Sequence, residues 1–456
     1  MKGATVTSEV ERDPTDNGPW TTTSRNIGIH GRSPQASAVR RFLLPTWLAL
    51  AGVLSSLGLV QAADPDAVVW PNDVSRANGD PWLMENHTRI RRMEPRLLVL
   101  NFDNHAPRAR LEALVSNIVA GVAESSRWHG YKDAAAPAFL RYRVARLVDL
   151  READAPKDRL NATSFPLKAG VTEGFNVDHN AFFSEAFAAR IGIADPERPG
   201  RFLRLDELVE RGEVHEVWIL SNGDDRNIRA FECIELMPRY GEDFRRIEGA
   251  PVQAGNGGDP DQKWTGRSLR LGFVNTTRGP GCFLESLGHS FEEMARCGAI
   301  PWLKREFEAF AGFDLKARWG TPFQSFYSLR YGERIIEYPK PDLAVLRPWK
   351  GDPLVLSNYV VAGGNAHWPP NARQHYDLAN TNPVLSTIEG WREGGPKGEG
   401  IPAEWNGDAF RVYDRLAPDC MGPWLVYWRQ NFPGLDNRAR DSGGRPMRNW
   451  WPFLFY

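Results

Sequence analysis

The sequence predicts an α/β fold with a mainly parallel sheet flanked by helices, and three stretches carry that prediction. Residues 96–103 (RLLVLNFD) form a continuous apolar run that ends in a carboxylate, as in a buried parallel strand. Across residues 108–128, apolar side chains recur with a helical period. Residues 203–211 (LRLDELVER) and 214–220 (VHEVWIL) predict a short helix that leads into a second strand. A strand, a helix and a further strand in this order make the βαβ unit of a parallel sheet.

The remaining elements divide the chain into a core and a C-terminal segment. Further strands are predicted at residues 139–150 and 268–274, and helices at residues 282–298 and 302–313. We expect residues 64–319 to form the α/β core. Residues 320–456 are rich in Pro, Gly, Trp and Tyr and show little periodicity. We therefore expect a long, irregular, aromatic-rich segment that wraps the core and completes the same domain.

Charge and missing motifs exclude several classes of function. The 456 residues carry 56 Lys and Arg against 57 Asp and Glu, so no global field favours nucleic acid. The sequence has no GxSxG elbow, no Walker loop and no GxGxxG after a strand. We therefore expect neither a nucleotide cofactor nor serine-esterase chemistry.

The N-terminal region resembles an export signal. Arg40 and Arg41 precede an apolar run over residues 42–60, and small residues follow with cleavage sites after Ala62 or Ala63. We expect residues 1–63 to be an export segment, of which residues 1–38 fit a start codon assigned too far upstream. The predicted mature protein is secreted or periplasmic and keeps no membrane anchor; a single uncleaved anchor is the alternative.

Four cysteines remain for an exported chain to pair. Cys282 and Cys297 lie about four turns apart on one predicted helix, so they cannot bond to each other while that helix is straight. Disulfides between Cys233 and Cys282 or between Cys297 and Cys420 stay open, as do free thiols. Because the sequence has no CxxC, it does not predict a zinc ribbon or a thioredoxin-type site.

The helix at residues 282–298 carries the best candidates for chemistry. Glu285, His289 and Glu292 fall within about 60 degrees of one another on one helix face, which suits three ligands of a Zn, Mn or Ca ion. Glu293 lies further round the helix, about 80 degrees from Glu285, and is a candidate base. The alternative is an amphipathic helix with solvated carboxylates and a hydrogen-bonded core histidine. Ser286 occupies the position of the zincin base, so the zincin protease motif is not matched.

A second group of candidates follows Gly363 and Gly364. Glycine permits unusual dihedrals and close approach, so this stretch suits a loop that contacts a ligand. His367 is a candidate for proton transfer, and a structural histidine is the alternative. Nearby polar and aromatic side chains are candidates for substrate binding: Trp368, Asn371, Tyr376 and Asp377.

Polar residues also follow three predicted strands. These are Asp103, a candidate catalytic carboxylate, with Asn222 and Asn275, candidates for substrate binding. Ligands of open parallel sheets bind outside the carboxyl ends of the strands, where the helix with Glu285 also begins. The alternative is that Asp and Asn serve here as good loop starters.

These residues resemble a family of uncharacterised secreted bacterial and fungal α/β proteins. The shared stretches are residues 214–219, an (H/E)SxGHxxE helix motif over residues 285–292, an HxPPN loop at residues 367–371, and Tyr376 with Asp377. The resemblance spans roughly residues 95 to 390. The family often carries a histidine where this chain has Glu285. The resemblance implies no established activity, and it supports the choice of residues.

We expect a secreted, metal-assisted hydrolase of an extracellular polymer, either a peptide or a glycan. One divalent ion would be held by the helix row, with a bound water as nucleophile and His367 or Glu293 assisting proton transfer. The first alternative is a non-catalytic glycan-binding or surface protein that uses exposed aromatic side chains. The second is a metal-free glycoside hydrolase with paired carboxylates.

Overall fold

A computed structural model describes residues 68–256, 262–329, 335–347, 351–394 and 400–456. The predicted export segment, residues 1–63, lies outside these ranges. Within them, every helix is too short or too polar to cross a lipid bilayer. Pro65–Tyr456 form one compact unit, and the boundary expected between residues 319 and 320 stays a prediction.

The described residues alternate between strands and helices along the chain. The strands are β1 (Val68–Trp70), β2 (Ile90–Met93), β3 (Arg96–Asn101), β4 (Arg143–Asp149), β5 (Glu216–Ser221), β6 (Cys233–Tyr240), β7 (Arg246–Gln253), β8 (Leu269–Asn275), β9 (Ile336–Lys340), β10 (Leu343–Leu346), β11 (Leu354–Ser357), β12 (Val384–Ser386) and β13 (Ala403–Trp405). The α-helices are α1 (Pro81–Glu85), α2 (Arg108–Ser125), α3 (Glu185–Ile191), α4 (Leu205–Glu210), α5 (Pro280–Cys297), α6 (Pro301–Ala311), α7 (Leu315–Trp319) and α8 (Gly422–Gln430). Short 3₁₀ helices span His179–Phe183, Phe326–Ser328, Ile388–Gly390, Gly407–Tyr413 and Trp451–Phe455.

The central sheet has six strands in the order β4-β3-β5-β8-β6-β7. The first four are parallel, whereas β6 runs antiparallel to both β8 and β7. The predicted α/β class is confirmed, with a mixed sheet. The antiparallel pair was not predicted, because both strands contain a proline and β7 is mostly exposed at the sheet edge, so neither gives a buried strand pattern.

Both faces of the sheet are covered, which explains the continuous apolar run of β3. Leu97 and Val99 pack into the core that also holds α2, α5 and α8. Leu98 and Leu100 point to the other face, into a second core with residues of α3 and α4. A strand buried on both sides needs apolar residues at successive positions.

Helix α5 is fixed at its first turn by the loop that precedes α8. The Asp419 carboxylate accepts hydrogen bonds from the amides of Gly279 (2.9 Å) and Gly281 (2.8 Å). Cys282 forms a disulfide with Cys420, 138 residues away. Neither pairing considered from the sequence occurs, since Cys233 and Cys297 are free. The sequence does not reveal that the C-terminal segment folds back onto the start of α5.

The C-terminal segment is less irregular than predicted and supplies much of the core. Helix α8 (GPWLVYWRQ) is buried along its whole length. Its Trp424 and Trp428 join Phe307, Phe310 and Trp450 in an aromatic cluster. The tryptophans that raise the aromatic content of this segment therefore serve mainly in packing.

We expect the Cys282–Cys420 disulfide to contribute substantially to stability, because it closes a long loop of the unfolded chain. Cys420→Ser should lower the free energy of unfolding by about 2–5 kcal/mol. Urea unfolding monitored by tryptophan fluorescence measures this change. Cys297→Ser, which removes a half-buried free thiol, is the control and should cost about 1 kcal/mol or less. Equal stability of the two variants would contradict the expectation.

Candidate metal centre

The site lies where the loop of residues 363–377 crosses one face of α5. Glu285 and His289 are one helical turn apart on that face, and both are buried. Gly288 lets the neighbouring segments approach closely, since a Cβ there would lie 3.2 Å from the Arg429 guanidinium and 3.7 Å from Ala366. The loop thus brings His367 against the helix.

The two glycines before His367 are needed for this approach. A Cβ on Gly363 would overlap the ring of Phe310. Gly364 has a φ of 68°, in the left-handed region, and a Cβ there would overlap the carbonyl oxygen of Trp368. These two positions explain why a glycine pair precedes the histidine.

Three ligand atoms converge at the crossing. Nε2 of His367 lies 3.1 Å from Nε2 of His289 and 2.8 Å from Oε1 of Glu285. Oε1 of Glu285 and both Nε2 atoms lie within 4.8 Å of one another. The side chains keep a little contact with solvent, from 6% of His367 to 12% of Glu285. This set of two histidines and one glutamate is a known donor set of catalytic zinc.

The outer nitrogen of each histidine has its own partner. Nδ1 of His289 lies 2.7 Å from Oε2 of Glu292, so this nitrogen donates to the carboxylate. Nδ1 of His367 lies 2.9 Å from Nε2 of His375. Ligating histidines in metal sites are oriented in this way by a second hydrogen bond on the far nitrogen. In the tautomer in which both Nδ1 atoms donate, both Nε2 atoms direct their lone pairs to the same space, as a shared metal ion would require.

Glu292 lies behind His289 rather than among the converging ligand atoms. Its Oε1 also accepts hydrogen bonds from the amide of Ala366 (2.9 Å) and the hydroxyl of Tyr327 (3.1 Å). The helical spacing predicted Glu292 as a ligand, and the structure places His367 in that position. The reason is that the His289 ring lies between Glu292 and the loop histidine, with its Nδ1 facing Glu292 and its Nε2 facing His367.

The charges of the cluster explain how it is held together without a metal ion. Burial alone lowers the pKa of His289, but the adjacent Glu292 carboxylate outweighs it and raises this pKa to about 9. Burial, and then the charge of His289, hold the pKa of His367 well below its ordinary value. Burial and then His367 lower the pKa of His375 to about 3. In the metal-free chain these charges therefore favour a proton on His289 over a second proton on His367.

Tyr376 also reaches the cluster. Its hydroxyl lies 2.6 Å from Oε1 of Glu285 and 3.0 Å from Nε2 of His367. Tyr376 was predicted as a substrate-binding residue, and the structure places it beside the converging ligand atoms.

Other predicted residues of this region serve the loop itself. Trp368 is buried against His375, and Asn371 donates to the carbonyls of Asn380 and Asn382. Asp377 pairs with Arg373 through bonds of 2.7 and 3.1 Å. Glu293 pairs with Arg296 at 2.7 Å; burial raises its pKa, although Arg296 opposes the shift. The expected substrate and base roles of these four residues have no direct support from their contacts.

The three residues at the strand ends form a separate group of loop contacts. Asp103 accepts from the amides of His105 (2.8 Å) and Ala106 (3.0 Å) and from the Thr276 hydroxyl. Asn275 accepts from the amide of Gly223 (3.1 Å), and the amide of Asn222 donates to Asn161 (2.7 Å). These polar groups tie the loops at the strand ends together, and the cleft expected to join them with Glu285 stays a prediction.

Two further residues of the site, His375 and Tyr327, received no role from the sequence. His375 stands in the HxPPN region but carries no spacing rule that relates it to His367. Tyr327 belongs to a short 3₁₀ helix with no periodic pattern, and only its contact with Glu292 marks it.

No protein-family model, no curated protein and no solved structure matches this chain. The resemblance to secreted bacterial and fungal proteins therefore stays a prediction.

The geometry of the loop predicts a large effect of a single methyl group at Gly364. Gly364→Ala should lower the free energy of unfolding by about 2–4 kcal/mol, because backbone strain and overlap with the Trp368 carbonyl add together. Gly312→Ala is the control: Gly312 also has positive φ (72°), but its Cβ would enter open space. The control should cost about 1 kcal/mol. Thermal and urea unfolding measure both variants, and equal costs would show that the close approach is not needed.

Proposed function

We propose that this chain is a metal-dependent hydrolase of an extracellular polymer, peptide or glycan, with the ion held by Glu285, His289 and His367. The observation that carries the proposal is the convergence of these three ligand atoms, with the far nitrogen of each histidine already bonded. Two nitrogen donors and one carboxylate suit zinc better than calcium, which takes oxygen ligands. Zinc would supply a Lewis acid that activates water at neutral pH.

Each protein group has a role in this proposal. Glu292 and His375 fix the ring orientation of His289 and His367 and keep both Nε2 atoms directed at the centre. His367, first considered for proton transfer, becomes a ligand. Glu293 stays the candidate base, because it follows Glu292 on α5 and burial raises its pKa.

The disulfide bears on the compartment in which the protein acts, and the aromatic side chains at the surface bear on its substrate. Disulfides persist in oxidising compartments, so Cys282–Cys420 supports the proposal of a secreted or periplasmic protein. Among the described residues, no tryptophan or tyrosine is exposed. A flat aromatic strip for glycan binding therefore has no support in this part of the chain.

The first test is the metal content of the purified mature protein. We expect about one zinc per chain in the wild type, and loss of that zinc in His289→Ala and His367→Ala. His105→Ala is the control, because the His105 side chain is exposed and its Nε2 lies 3.1 Å from the Arg159 carbonyl oxygen rather than in the cluster. Plasma mass spectrometry measures the metal, and peptide and polysaccharide panels with and without chelator measure hydrolysis. A wild type without metal after reconstitution would overturn the proposal.

The two adjacent glutamates of α5 provide a sharper test of the geometry. Glu292→Gln should weaken zinc binding about 10-fold to 100-fold, because the carboxylate that orients His289 loses its charge. Glu293→Gln should leave zinc binding unchanged, because Glu293 faces Arg296 instead. Competition with a chromophoric chelator gives both affinities. Equal affinities would show that Glu292 does not orient a ligand.

A further inference from the structure

Tyr376 occupies a place that a fourth ligand would take. Its hydroxyl lies 2.6 Å from Oε1 of Glu285 and 3.0 Å from Nε2 of His367. Nε2 of His367 in turn lies 2.8 Å from Oε1 of Glu285 and 3.1 Å from Nε2 of His289. In a tetrahedral site with bonds of about 2.0–2.1 Å, neighbouring ligand atoms lie about 3.3 Å apart. For these four pairs of atoms, a cation would therefore need outward movements of only a few tenths of an ångström.

The backbone at Tyr376 is held in an uncommon conformation that serves this placement. Tyr376 has a φ of 61°, in the left-handed region that large side chains rarely adopt. Its amide donates to the carbonyl of His367 (3.2 Å), and the Arg373–Asp377 pair fixes the next residue. Such conformations persist where the surroundings enforce them, and they concentrate at functional sites.

The left-handed turn lets two adjacent residues reach opposite nitrogens of one imidazole ring. His375 contacts Nδ1 of His367, while the Tyr376 hydroxyl contacts Nε2. In an extended chain, successive side chains point to opposite sides and could not both face that ring. The Tyr376 oxygen thereby lies on the side to which the ligand lone pairs are directed.

We propose that Tyr376 is a fourth protein ligand, which makes the centre a Glu-His-His-Tyr site. This inference rests on the proposed metal centre and extends it. As the oxygen–metal bond forms, the phenol proton leaves to solvent, and the phenolate remains as the ligand. Zinc sites expand to five ligands, so a water can still bind.

Copper(II) is a suitable probe, because imidazole sites bind it tightly and a copper phenolate absorbs visible light by charge transfer. The full mature chain, stripped of metal and loaded with copper(II), should show this band. Tyr413→Phe is the matched control, because the Tyr413 hydroxyl donates to Gln430 (2.6 Å) and Glu124 (3.4 Å), neither of which belongs to the site. It should keep both the copper and the band. Tyr376→Phe should keep copper and lose the band, with an unchanged circular dichroism spectrum.

The outcomes separate this inference from the metal centre itself. Stoichiometric copper in the wild type without the band, or a band that persists in Tyr376→Phe, would overturn the assignment of Tyr376 and leave the three-ligand centre standing. A wild type that binds no copper would overturn both, and the metal content alone reveals that case.

Discussion

The contact between two imidazole nitrogens, Nε2 of His289 and Nε2 of His367, is the constraint on which the site depends. They lie 3.1 Å apart in a buried place, and both far nitrogens are engaged elsewhere. Two lone pairs cannot face each other at this distance, so either one nitrogen carries a proton or a cation lies between them. A proton meets that need in the metal-free chain, and a metal ion meets it equally, with release of the proton.

The fold brings these nitrogens together through helix α5. Its first turn is fixed by Asp419 and the Cys282–Cys420 disulfide, and it ends at Gly298 in the left-handed conformation. Arg429 of α8 donates to the carbonyl of Leu284, one residue before Glu285. The helix that carries Glu285 and His289 is thus anchored by contacts that are separate from the loop with His367.

Local sequence patterns predicted part of the fold and of the site, whereas the rest depends on contacts between distant parts of the chain. Period and burial patterns located β3, β5, β8 and α5, because each pattern is local. The glycine pair pointed to His367. Glu292 was predicted as a ligand and lies behind His289 in the structure, because helical spacing gives the face of a residue but not the direction from which a distant loop arrives. The disulfide and Tyr327 depend on contacts across more than 30 residues, which no local pattern encodes.

A second buried charge cluster shows what distinguishes the histidine site from ordinary structural polarity. Within the central sheet, Arg270 of β8 donates to Glu216 of β5 (2.7 Å) and Glu235 of β6 (3.0 Å), and Trp218 donates to Glu216 (2.7 Å). Every one of these contacts joins a donor to an acceptor, and the positive charge belongs to a guanidinium that does not lose its proton. In the histidine cluster a proton between two bases closes the contact, and a metal cation can replace that proton. Buried polar groups that are complete within the protein stabilise it, whereas a cluster with a replaceable cation can bind a metal.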